Sequence, residues 1–161
     1  MNLRTTLLLS LLTYLPAYAG DDSFWPPKRA SGLWELVPGT SPFSWSFCAL
    51  AEKDHLVEDD LWSKFDKECE RQSQSREGNT YRFVALCDNK TTRLTGIIEG
   101  DLSSEYIATT IVSIKLLDGT ESTRRDVVKG KRIGDCPADL PPGTKKMKGG
   151  LVLRGFYDKR Q

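Results

Sequence analysis

The stretch from Cys69 to Cys87 constrains this chain more than any other, because it reads as two strands folded about Gly78 with one cysteine on each arm. Each cysteine stands nine residues from Gly78. A three-residue Glu77-Gly78-Asn79 loop makes Arg76 face Thr80, and the same register sets Cys69 opposite Cys87. Directly opposed residues of a non-hydrogen-bonded antiparallel pair have Cα atoms ~4.5 Å apart, a distance a disulfide accepts. A two-residue Gly78-Asn79 turn would instead place Cys69 opposite Asp88, a one-residue slip that turns one cysteine to the other face. Four cysteines allow three connectivities; if the hairpin pair is Cys69–Cys87, the other is Cys48–Cys136. Spacings of 21, 18 and 49 residues contain no C-x-x-C, which argues against zinc and against thioredoxin-type redox chemistry.

An even cysteine count suits an oxidising compartment, and the N-terminus agrees. Arg4 is a positive n-region, residues 7–12 an apolar core, and Ala17-Tyr18-Ala19 a small-x-small cleavage site. Residues 1–19 therefore read as a secretory signal, too short in its apolar run for the ~20 residues of a membrane helix. Residues 20–31, with Pro26-Pro27, read as an extended leader, residues 32–136 as a single β-rich domain, and residues 137–161 as a Lys-rich extension with room for one edge strand. Loss of Arg4 takes the formal net charge from +1 to 0, so no global field steers nucleic acid or anionic lipid to the mature chain. The charge is uneven all the same. Residues 20–105 carry 10 Lys/Arg against 16 Asp/Glu, and residues 122–161 carry 11 against 4.

The mature chain is dominated by period-two patterns. Gly32-Leu33-Trp34-Glu35-Leu36-Val37 is the first strand, ended by Pro38-Gly39; Phe43, Trp45 and Phe47 alternate with Ser44, Ser46 and Cys48 in the second. Tyr81, Phe83, Ala85 and Cys87 share one side of a strand, and Leu94, Gly96 and Ile98 follow in the next. The longest strand runs over residues 105–117 and returns over 122–133 through Asp118-Gly119, a two-residue type I′ turn. Gly96, Gly100 and Gly130 suggest coiling or bulges. Residues 137–148 lack periodicity and read as a mobile segment. Helical spacing occurs once: Val57, Leu61, Trp62 and Phe65 lie on one face of residues 55–67, with Glu58, Asp59 and Asp60 in the first turns. The expected fold is mainly β: a curled antiparallel meander or incomplete barrel of six to eight strands, one short helix and two disulfides.

Gly32-Leu33-Trp34-Glu35, Cys48 closing the next strand, the cysteine hairpin and the closing Gly130-Lys131-Arg132-Ile133-Gly134-Asp135-Cys136 together resemble domain-of-unknown-function family 3617, small exported proteins found mostly in Gram-negative bacteria. The resemblance covers most of the mature chain. It departs at Ser31, where members usually carry Pro, and in the longer Lys-rich ending. It implies a periplasmic location and carries no activity and no catalytic residues.

Motifs for chemistry are missing from the chain. His55 is the only histidine, so no metal site built on several histidines can form, and its place at the start of the expected helix suits a solvated residue or a cap. No G-x-S-x-G, H-E-x-x-H or G-x-x-x-x-G-K-[ST] is present. Asn89-Lys90-Thr91 fits a glycosylation sequon, which would be incidental in the bacterial protein that the family resemblance implies. No catalytic residue, cofactor or metal ligand is expected. A curled sheet with one helix can leave a concave apolar mouth. Trp34 and Trp45, with Arg124, Arg125, Lys129, Lys131 and Arg132 at its rim, are the candidate surface for a small apolar or anionic ligand or an envelope protein. No aromatic interleaves those cations, so nucleic acid is not expected. The function expected is a non-enzymatic binding or interaction module of the envelope, with an inhibitor or immunity-type protein as the alternative.

Overall fold

A computed structural model describes residues 27–39, 43–54, 56, 69–155 and 157. They form one open antiparallel sheet of nine strands: β1 (Gly32–Pro38), β2 (Trp45–Ala49), β3 (Cys69–Glu77), β4 (Thr80–Cys87), β5 (Thr92–Gly100), β6 (Glu105–Lys115), β7 (Glu121–Gly134), β8 (Thr144–Met147) and β9 (Val152–Leu153). The order across the sheet is β3-β4-β5-β6-β7-β1-β2-β8-β9. The meander from β3 to β7 is thus flanked by the first hairpin, and the C-terminal hairpin extends the far side. No helix is present among the described residues, and the one expected over residues 55–67 lies outside them apart from Leu56. The signal and most of the leader also lie outside them.

The cysteine hairpin has the expected pairing by a different route. Glu77 faces Thr80, so the loop is the two-residue Gly78-Asn79 turn, with Gly78 at φ 56°. That turn alone would misalign the cysteines. A bulge between Arg71 and Ser73 absorbs one residue, Gln72, and restores Cys69 opposite Cys87 with Cα atoms 4.0 Å apart and the disulfide formed. At the β6–β7 connection Lys115 faces Glu121, and Leu116 N–H donates to the Thr120 carbonyl. Residues 117–119 therefore make a three-residue loop with Gly119 at φ 84°, rather than the two-residue type I′ turn expected there. Asp118 caps it by accepting from the Thr120 N–H and hydroxyl.

Alternation sends one side of each strand to a common core of Trp34, Leu36, Phe47, Tyr81, Phe83, Leu94, Ile98 and Tyr106, joined by Leu56 and Leu102. Two glycines make this packing possible. Phe83 lies over Gly96, where an added Cβ would sit 1.8 Å from the ring, and Tyr106 lies over Gly130 at 2.2 Å. Each is a cross-strand pair, so the bare backbone of one strand receives the aromatic of its neighbour.

The opposite, outer side is covered over β2 but open over β5–β7 among the described residues. Cys48 alternates with Phe47 and so points outward, where it is bonded to Cys136, Cα–Cα 5.5 Å. Gly143 N–H donates to the Cys48 carbonyl, and Leu140 is buried beside this crossing. Thr144–Met147, where no periodicity pointed to a strand, then pairs with β2.

Candidate functional site

Beneath the core side, residues 28–31 and 51–54 are laced together. Lys28 Nζ donates to the Glu52 carbonyl at 3.0 Å, the Ala51 N–H to Ser31 Oγ at 2.9 Å, and the Ala30 N–H to the Leu102 carbonyl at 2.7 Å. At the centre Arg29 binds Asp54 three ways: Nε to Oδ2 at 3.0 Å, Nη2 to Oδ1 at 2.7 Å, and its own backbone N–H to Oδ2 at 2.9 Å. Both side chains are essentially fully buried. Arg29 Nη1 also donates to the Tyr106 hydroxyl at 3.2 Å, and the guanidinium lies 4.9 Å from the Phe47 ring centroid and within 6 Å of Trp34 and Tyr106. No buried side-chain nitrogen or oxygen among the described residues lacks a partner. A buried ion pair this well satisfied fixes the covering segments on the sheet and leaves no donor aimed at a ligand.

Leu102 is held at φ 58°, a conformation that costs a bulky side chain about 1–2 kcal/mol. Asp101 supports it: Oδ1 accepts the Ser104 N–H at 2.7 Å and the Ser103 N–H at 2.8 Å, and Oδ2 the Ser104 hydroxyl at 2.9 Å. The Ser104 and Ser103 N–H groups, followed by the Ser104 hydroxyl, hold the Asp101 carboxyl well below the usual carboxylate range. The Thr120 hydroxyl and then its N–H lower Asp118 in the same direction.

The residues expected to line a mouth do not share one surface. Trp34 is 0% exposed, tilted against Tyr106 at 5.6 Å, its indole N–H donating to the Ala30 carbonyl at 2.9 Å. It belongs to the core. Trp45 is part-buried, with Lys145 Nζ 3.9 Å from its ring centroid. The five cations divide by parity along β7. Arg124 and Arg132 lie in register with Val112 and Trp34 on the core side, paired with Asp126 and Asp135. Arg125, Lys129 and Lys131 lie on the outer side, opposite Ile111, Ile107 and Glu105.

The outer side holds a second feature, a shallow cleft of about 310 Å³ lined by Glu35, Ser44, Trp45, Ser46, Lys146, Met147 and Lys148. Glu35, Ser46 and Lys146 form one cross-strand row, so a carboxylate, a hydroxyl and an ammonium stand side by side. Beside it, over β5–β7, the outer face carries a β-branched row, mostly apolar, with a threonine in the middle: Ile97 faces Thr109, and Thr109 faces Val127. Sequence reasoning did not single out Arg29, Asp54 or this outer apolar row.

No protein-family model matches the chain, and no curated protein or solved structure is detectably similar to it. Among the described residues no helix is long and apolar enough to cross a membrane.

Proposed function

We propose that this is an exported, periplasmic protein of the cell envelope that acts by binding another macromolecule rather than by catalysis. One observation carries the reading: the sheet has a core side packed around Trp34, Phe83 and Tyr106 and, on the other side of β5–β7, a patch of Ile97, Ile107, Ile111 and Val127 around Thr109 over which no described element lies. An antiparallel sheet with one solvated face ordinarily turns polar residues outward. Here Ile107 is outward and 40% exposed beside Ile97, Ile111 and Val127. The two disulfides are compatible with an oxidising compartment, and the resemblance to the exported family of unknown function points to the same location.

The test is capture from an envelope fraction by the full-length, oxidised protein, followed by titration of the identified partner. Saturable binding without consumption of the partner is expected. Sustained turnover of any substrate by the same preparation would overturn the reading.

A second reading, an inhibitor or immunity-type protein that blocks a periplasmic enzyme or toxin, has its own observation. The β6–β7 ribbon ends in Leu116 and Leu117, the latter fully exposed at the tip. A protruding apolar tip suits insertion into a cleft. Loss of inhibition in Leu117→Asp is the outcome expected of that reading, and an unaffected target enzyme would dismiss it.

A further inference from the structure

We infer that the open outer face of β5–β7 docks an acidic amphipathic helix of a partner protein; the inference rests on the binding role proposed above and names its surface and partner chemistry. Ile97, Thr109 and Val127 form a floor across three adjacent strands, in direct register. Thr109 is 9% exposed, and Ile97, Ile111 and Val127 around it are part-buried. Ile107 and Ile111 flank this row two residues away along β6. Strands stand ≈ 4.8 Å apart and alternate residues ~6.8 Å along a strand. The floor is therefore about 10 Å wide and 13 Å long, the footprint of a helix ≈ 10–12 Å across with its side chains.

The charges around the floor decide the partner. Arg82 faces Ile97, Lys129 faces Ile107, Arg125 faces Ile111, and Arg93 faces Ser113 one row on. Glu99, opposite Ile107, is the one acid in direct register with the floor or its flanking isoleucines among the described residues. Counted one row beyond the flanking isoleucines at both ends, Arg82, Arg93, Arg125, Lys129 and Lys131 thus frame the row against Glu99 and Glu105. None of these five cations has a salt bridge or side-chain hydrogen bond among the described residues. Elsewhere on the surface Arg124, Arg132 and Lys90 are paired with Asp126, Asp135 and Glu70. Unpaired cations around an apolar centre complement a helix with one apolar stripe and acids on both flanks, and repel a basic one. A bilayer fits this face poorly, because the apolar groups lie on flat strands between long Arg and Lys side chains rather than on a protruding loop.

The experiment places a photo-crosslinkable amino acid at position 107 or 111 of the full chain, in the cell that makes it, with positions 117 and 152 as comparison sites. Adducts from 107 and 111 to one protein, through a peptide with more Asp and Glu than Lys and Arg, are expected. Their yield should fall at least fivefold in an Arg82→Glu/Arg125→Glu variant that keeps its circular dichroism and melting temperature, with Lys129→Glu as the substitute if that variant melts early. Adducts only from 117 or 152 would leave the binding role standing and overturn this surface. Adducts within the chain to the acidic amphipathic stretch of residues 55–67, to a second copy of the chain or to a basic peptide, an unchanged yield in the charge-reversed variant, or co-sedimentation with phosphatidylethanolamine–phosphatidylglycerol vesicles would also overturn it. No adduct from any of the four positions would overturn both.

Discussion

The two sides of the β5–β7 region are built from the same strands and treat charge and apolar surface in opposite ways. On the core side, Tyr106 and Ile98 are closed over by Leu56, Leu102 and residues 28–31, and the charge there, Arg29, is fully matched by Asp54 and the Tyr106 hydroxyl. On the outer side, Ile107 is exposed, Ile97, Ile111 and Val127 are part-buried, and Arg82, Arg93, Arg125 and Lys129 have no counter-ion among the described residues. A buried charge without a partner costs several kcal/mol, whereas an exposed cation beside an apolar patch costs almost nothing until something binds. Folding therefore accounts for the arrangement on one side only. The other is free to be explained by recognition.

Substitutions can break this contrast. The largest effect is expected from the staples: replacing Cys48 and Cys136 by Ala opens a loop of 88 residues and should cost about 4.5 kcal/mol, against about 3 kcal/mol for the 18-residue loop of Cys69 and Cys87, both read as unfolding free energies under oxidising conditions. Next comes the latch. Asp54→Ala leaves the guanidinium of Arg29 buried without its carboxylate and should cost about 4 kcal/mol, while the double change Arg29→Met/Asp54→Leu should cost distinctly less. Equal losses from the single and double variants would show that packing, not the stranded charge, sets the cost. A smaller effect is expected in acid. Asp101 has a lowered folded-state value, so its contribution is complete above the unfolded carboxylate range near ~3.9 and is lost as pH falls through that range toward the lower folded value. Asp101→Asn should flatten this part of the urea midpoint against pH; an unchanged acid slope would remove Asp101 from the account.

The strands were legible because aromatic and β-branched residues alternate through β1, β4, β5 and β6, and in β1, β4 and β5 the buried residues all fall on one face. The hairpin disulfide was legible too, although two offsetting features lay beneath it. A polar strand such as β3, largely exposed on both sides, offers no hydrophobic pattern by which Gln72 could announce a bulge. β8 was hidden for a related reason: Lys145 is buried as a long stem whose ammonium lies over Trp45, so a core-side position is occupied by a residue that reads as solvated. Arg29 and Asp54 stand 25 residues apart in segments without periodicity, and nothing local to either predicts the other. The basic run of β7 misled in a way parity could have corrected. Arg124 and Arg132 are even-numbered, Arg125, Lys129 and Lys131 odd, and a regular strand must divide them between its faces.

The most direct test of the contrast is equilibrium urea unfolding of the Ile107→Thr/Ile111→Thr variant, which removes outward apolar groups while keeping β-branched side chains. If the outer face serves recognition and not the fold, the variant should lose less than about 1 kcal/mol, with an unchanged m-value. A loss of about 3 kcal/mol or more, the scale of a core truncation, would show that these isoleucines are part of the packed interior and would contradict the account.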